Sequence, residues 1–231
     1  MSELAEMSLY FGMFLSVGAY LFGVWLKKKT GLAICNPLLV ASALVIVVLL
    51  VFRIDYQEYN RGASFLSYFL TPATVCLAIP LYRQLELLKK NVAAILASIL
   101  VGVAGSAASI FAMSLVFRLE HVYYVSLLPK SITTAIGMGV SEELGGIVTL
   151  TVVSIIVTGI LGNVIADTLF AVCKIEEPMA KGLALGTAAH AIGTARALEL
   201  GEIEGAMSSL AIAVAGLSTV VVAPLVAGLI G

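Results

Sequence analysis

Two polar clusters interrupt an otherwise apolar chain. The first is Lys130, Ser131, Thr133 and Thr134, directly after Pro129. The second lies in LALGTAAHAIGTARALELG, from Leu183 to Gly201, and holds Thr187, His190, Gly193, Thr194 and Arg196, with Glu199 beyond. Ionisable groups within apolar segments are costly, so they are rare there and face a bundle interior or a pathway. Thr187, His190 and Thr194 fall at i, i+3 and i+7, one face of a helix. Gly186 and Gly193 are points at which a helix can end or loosen, leaving backbone donors beside them. An arginine can hold a carboxylate through two parallel bonds. A histidine can titrate near neutral pH and carry a coupled proton. Proline is favoured at the first position of a helix. A half-helix starting at Pro129 would aim its free N–H groups, its dipole and the Ser131 hydroxyl at one point, with Lys130 adding a full charge. Two cations, a histidine and several hydroxyls suit a small organic anion. A divalent cation would require clustered carboxylates, so no metal is assigned.

Plainer readings stand beside these. Arg196 and Glu199, at i and i+3, also fit an ion pair at a helix end. His190 also fits a core histidine bonded to a backbone carbonyl, and Lys130 a side chain that snorkels to the headgroups. Glu142, Glu143, Glu202 and Glu204 sit at expected segment ends, where carboxylates are solvated. The chain contains no HExxH, no Walker loop and no G-x-S-x-G. No nucleophile or metal set completes an acid–base pair of His190 and Glu199. No catalytic residue, enzyme activity or cofactor is therefore expected.

The elements that must position these groups are membrane helices. Of 231 residues, 61% are hydrophobic and 12% charged, where a soluble domain has about a quarter charged. The apolar runs approach the roughly 20 residues of a spanning helix, not the roughly 10 of a barrel strand. The chain is expected to be all-α and polytopic, one domain over 1–231 with about seven to eight segments in a lipid bilayer. A net charge of −1 gives no case for nucleic acid. Cys35, Cys76 and Cys173 match neither a metal spacing nor a disulfide framework. The acidic start MSELAEMS is not that of a signal peptide, so the first helix is read as retained.

The first span runs from Leu9 to Leu26 and is closed by Lys27, Lys28 and Lys29, which read as cytoplasmic and leave the N-terminus outside. Pro37 to Phe52 follows, then a polar loop. Ser64 to Leu81 is interrupted by Pro72 and Pro80 and is expected to be broken and buried, since freed backbone groups must be covered. Asn91 to Phe117 carries small residues at helical spacing, Gly102 and Ser106, Gly105 and Ser109, which permit close helix approach. His121 to Gly146 is too polar in its middle for a lipid-facing helix, with Pro129 and Gly137 as further breaks. If it spans, Lys174 and Lys181 fall outside; if it re-enters, they join the other lysines inside, as the charge rule favours. Ile147 to Val172 and Gly205 to Gly231 are the remaining spans. TPATVCLAIPL from Thr71 aligns without a gap with LPKSITTAIGM from Leu128, pairing Pro72 with Pro129 and Pro80 with Gly137. Paired broken segments point to a transporter site between repeats.

At these residues the chain resembles the LrgB/CidB family of bacterial membrane proteins. The matching pieces are NPLLVAS from Asn36, the TPATVCLAIPLY run, LLPKSITTAIG from Leu127, TGILG from Thr158, and KGLALGTAAHAIGTARALELGEIEGAMSSLA from Lys181. Many members have proline after the two threonines, where this chain has Ala135, which weakens the case for a sharp break there. The resemblance implies a multi-pass protein of the bacterial plasma membrane, paired with a small LrgA/CidA-type membrane protein. Self-association into a homo-oligomer stays open. It implies a link to murein hydrolase regulation and autolysis, by analogy with holins and antiholins. Plastid relatives move glycolate and glycerate, and bacterial relatives are linked to pyruvate uptake. The expectation is thus the substrate-binding subunit of a small-monocarboxylate transporter, with a holin- or antiholin-like pore or regulator as the alternative.

Overall fold

The computed structural model describes residues 10–31 and 35–230, so the expected start of the first span at Leu9 and the expected end of the last span at Gly231 lie outside the described residues. The described chain is helical and forms two compact units, Met1–Cys76 and Leu77–Gly231.

In the first unit, α1 (Phe11–Thr30) is closed by the last-turn lysines Lys27, Lys28 and Lys29 and by Gly31 in the left-handed conformation. That glycine lets the chain turn out of the helix, and the lysines complement its negative end. Helix α2 (Pro37–Phe52) starts where the Asn36 side chain accepts from the N–H of Leu38 and Leu39, with Pro37 at its first position. Gly23 lets α1 meet α2, because a Cβ there would lie 2.9 Å from Pro37 Cα. Ala19, Ala41 and Val45 form the small core between them. The polar loop is in fact a helix, α3 (Tyr56–Ser67), capped by Asp55; its Tyr59 hydroxyl meets Ser16 Oγ at 2.8 Å. Helix α4 (Leu70–Cys76) ends the unit.

The Pro72 segment is broken, but not at its prolines. The break follows Cys76, and the next helix, in the second unit, is α5 (Ala78–Arg83). Pro72 and Pro80 each stand third in a short helix, where the N–H has no intrahelical partner to lose. Val75 and Ile79 are 66% and 54% exposed, against the expectation of burial.

The second unit continues with α6 (Leu85–Lys90) and holds the helices long and apolar enough to cross a membrane: α7 (Val92–Phe117), α10 (Val148–Val172) and α12 (Glu202–Ala227). At 25 or 26 residues each, they reach about 38 Å, more than a hydrocarbon core of about 30 Å. Helices α7 and α12 run the same way. Leu88, Ile95 and Ile99 pack with Ala206, Met207 and Ala211 at one end, and Ile110 packs with Ala223 and Ala227 towards the other.

Between the spans the chain turns back twice. Helix α8 (His121–Leu127) and α9 (Thr134–Glu143) are too short to cross. His121 Nδ1 contacts the Ile230 carbonyl and Tyr124 Oη donates to Val226 O, so α8 enters beside the end of α12. Ile147 N donates to Ser126 Oγ, and Thr151 Oγ1 donates to Ser141 Oγ, so the segment leaves where it entered. His121 to Gly146 therefore re-enters. Lys174 and Lys181 lie at the opposite end of the unit, with Arg83, Lys89 and Lys90. The break covers 128–133 and includes Pro129. The half-helix expected to start at Pro129 does not start there: residues 128–133 are not helical, and α9 starts at Thr134 with Ala135 second, so the helix boundary forms without a proline there. Gly137 lies inside α9 and does not break it. Its hydrogen faces Ile155, whose Cδ1 would be 2.5 Å from an added Cβ.

The second turn-back is in α11 (Pro178–Leu200). His190 has φ 41 and ψ −135, a reversal inside what otherwise reads as one helix. A Cβ on Gly193 would lie 2.7 Å from Ala189 Cβ, so the arm 191–200 folds back on the arm 178–189. Gly186 does not break the helix either. With Gly182 it is a point of close approach to α12, and a Cβ on Gly186 would lie 2.7 Å from Ala211 Cβ. The unit thus contains a helix followed by a hairpin from one end, then a helix followed by a hairpin from the other. That opposite-sense pairing is the pattern of inverted repeats. It joins the Lys130 and His190 segments, whereas the sequence alignment had paired the Lys130 segment with Thr71–Leu81.

Candidate functional site

The tip of the first hairpin is built by Pro129. Lys130 N donates to Leu127 O and Ile132 N to Pro129 O, so the chain leaves α8 in tight turns. Thr133 is extended and precedes the first turn of α9. Lys130 Nζ donates to Ser131 Oγ at 3.2 Å, and Ser131 Oγ lies 3.2 Å from Ser106 Oγ of α7. No carboxylate pairs with Lys130 among the described residues.

This tip opens into a cavity of about 780 Å³. One wall is the small-residue face of α7, from Ser98 through Gly102 to Ser109; another is Thr158, Gly162 and Ile165 of α10; the third is Leu183, Thr187 and Ala188 of the rising arm of α11. Lys130 is its one charged lining residue among the described residues. The donors of Ser98 and Ser109 are spent on their own helix carbonyls, whereas the Thr158 and Thr187 hydroxyls have no partner among the described residues. A cation and free hydroxyls on a largely aliphatic, open cavity can attract an anion through charge-assisted hydrogen bonds.

Of the second cluster, only Thr187 joins this cavity, as Gly102 makes room for its methyl. His190 is buried; its Nε2 lies 3.0 Å from Ile155 O, pinning the hairpin tip to α10. Gly159 leaves space for the ring. Thr194 Oγ1 donates to His190 O or pairs with Ser208 Oγ at 2.7 Å, tying the returning arm to α12. Gly193 is the close contact between the two arms. Arg196 is far from Lys130 in its bonding. Its Nη2 and Nη1 each lie 2.6 Å from a carboxylate, Asp167 Oδ2 and Glu199 Oε2. The structure therefore gives His190, Gly193, Thr194 and Arg196 roles that hold the hairpin. Thr133 and Thr134 are half-buried and outside the cavity lining.

Sequence reasoning missed three contributors. Ser106 and Thr158 were read as parts of packing spans; the signal was hydroxyls within a small-residue stripe. Asp167 was passed over, although a carboxylate within an apolar span implies a cationic partner.

Comparisons with known proteins point to one family. The LrgB-like family model matches residues 16–229. The chain is 41% identical over 228 residues to "Antiholin-like protein LrgB" of Bacillus cereus (strain B4264), covering 98% of this chain and 99% of that protein. The protein of the same name from Bacillus anthracis (strain CDC 684 / NRRL 3495) matches with the same identity and coverage. No solved structure matches. The chain belongs to the LrgB-like family.

Proposed function

We propose that this LrgB-like chain is the substrate-binding subunit of a small-monocarboxylate transporter, with pyruvate-like acids as the substrate class. One observation carries the reading: the Lys130 ammonium stands in an aliphatic, hydroxyl-bearing cavity with no carboxylate beside it among the described residues. A half-buried cation without a counter-charge is costly unless an anion joins it. Lys130, Ser131 and Thr158 would hold the carboxylate, Thr187 would meet the rest of the substrate, and the aliphatic wall would take the short carbon chain. The hairpins entering from opposite ends support alternating access, one helix-and-hairpin pair moving against the other.

In this reading the end bearing Arg83, Lys89, Lys90, Lys174 and Lys181 is cytoplasmic, the membrane is the bacterial plasma membrane, and the N-terminus is outside. A small LrgA/CidA-type protein is the partner. An effect on murein hydrolases and autolysis would follow from altered carbon flux.

A holin- or antiholin-like pore is the second reading. The exposed small-residue face of α7 favours it, since such faces let helices associate, as does the name antiholin-like borne by the relatives. Uptake of labelled pyruvate into proteoliposomes, with and without the partner, separates the two. Saturable uptake supports the carrier. Leakage of unrelated dyes that scales with protein density, with no saturable uptake, supports the pore.

A further inference from the structure

Behind the cavity lies a much smaller recess of about 10 Å³, walled by Ser106, Ser131, Thr187 and Thr219, with Val103 and Ile132 among its apolar neighbours. This is room for about one oxygen-sized atom. Ser106, Ser131 and Thr187 belong to both spaces, so the recess adjoins the Lys130 cavity. Thr187 and Thr219 are 9% and 8% exposed, and neither hydroxyl has a hydrogen-bond partner among the described residues. Among the described residues only Ser114 Oγ is fully buried without a partner, so these two hydroxyls each keep some accessible surface. Thr151 donates to Ser141 Oγ at 2.7 Å, and Thr194 pairs with Ser208 at 2.7 Å. Buried hydroxyls are ordinarily satisfied, and a threonine in a helix can satisfy its own through a carbonyl one turn back. Thr187 and Thr219, from two different helices, do neither, and both line the same atom-sized space. The third hydroxyl is polarised, since Ser131 accepts from Lys130 and pairs with Ser106, either of the two being the donor.

We propose that this recess is an oxygen subsite of the anion cavity, in which Thr219 and Thr187 donate to an oxygen borne on the carbon next to the carboxylate. The size sets the class: a short acid whose second oxygen lies within a bond or two of its charged group. Thr219 is then a specificity-determining residue. The inference rests on the anion reading of the Lys130 cavity, and the test separates the two.

Binding of lactate and of propionate, which differ by one oxygen, is measured by calorimetry on the full chain in nanodiscs. The wild type is expected to bind lactate more tightly. Thr219→Val, which keeps the shape and removes the hydroxyl, is expected to lower the lactate-to-propionate affinity ratio about fivefold to tenfold, the scale of one hydrogen bond. Its propionate affinity should stay within about twofold, while Thr219→Ser should keep the wild-type ratio. Thr187→Val gives an independent second reading if Thr219→Val does not fold. An unchanged ratio in the valine variants overturns the subsite, leaving an ordered water as the occupant, and leaves the anion cavity standing. A wild type that binds neither acid overturns the anion reading and the subsite with it.

Discussion

His190 Nε2 lies 3.0 Å from the carbonyl oxygen of Ile155, and the histidine that makes this bond is also the residue at which α11 reverses. A non-glycine residue at φ 41 is strained, and strain of this kind costs on the order of 1–3 kcal/mol. The bond to Ile155 offsets part of it. His190→Gly removes both strain and bond, and is expected to leave Tm nearly unchanged. His190→Ala removes only the bond, and should lower stability by about 1 kcal/mol. Thermal unfolding in detergent orders the variants. An alanine variant as stable as the glycine variant would mean the reversal is not strained.

Re-entry of the first hairpin places Arg118 and Glu143 at one end of the second unit, and Cys173 and Lys181 at the other. With the other cysteines replaced, R118C and E143C should react with an impermeant maleimide from the same side of intact cells. Native Cys173 should react from the opposite side. Labelling of R118C and E143C from opposite sides would show that the segment crosses.

Arg196 holds Asp167 and Glu199 at 2.6 Å each, tying the returning arm of the second hairpin to α10. Its partners are more than half exposed, so the pairs are worth about 1 kcal/mol or less. Arg196→Ala is expected to lower Tm modestly and to leave substrate KM within about threefold, since one lost clamp far from Lys130 touches no substrate atom. Uptake assays on the folded variant check this. A large rise in KM would return Arg196 to the binding site.

Much of this was legible in the residues. Length and hydropathy marked the long apolar helices α7, α10 and α12, and Pro129 marked a break, although the half-helix expected to start there starts at Thr134. Periodicity misled at α11, where Thr187, His190 and Thr194 share a face only if the helix is continuous. The reversal at His190 sends Thr187 to the cavity and Thr194 to Ser208. Glycines misled in the same way. Gly137 and Gly186 are compatible with a break and with a close approach, and only the neighbouring helix decides which. Ser106 looked like packing because a serine in a small-residue stripe serves that purpose equally well until another hydroxyl faces it.

The central claim is that the Lys130 charge holds the anion. Lys130→Gln keeps the length and polarity of the side chain and removes its charge. Saturable pyruvate uptake should fall at least tenfold in Lys130→Gln proteoliposomes, the loss of one charge-assisted contact, while Arg196→Ala, made alongside, retains uptake. Wild-type uptake in a folded Lys130→Gln protein, or loss confined to Arg196→Ala, would contradict the account.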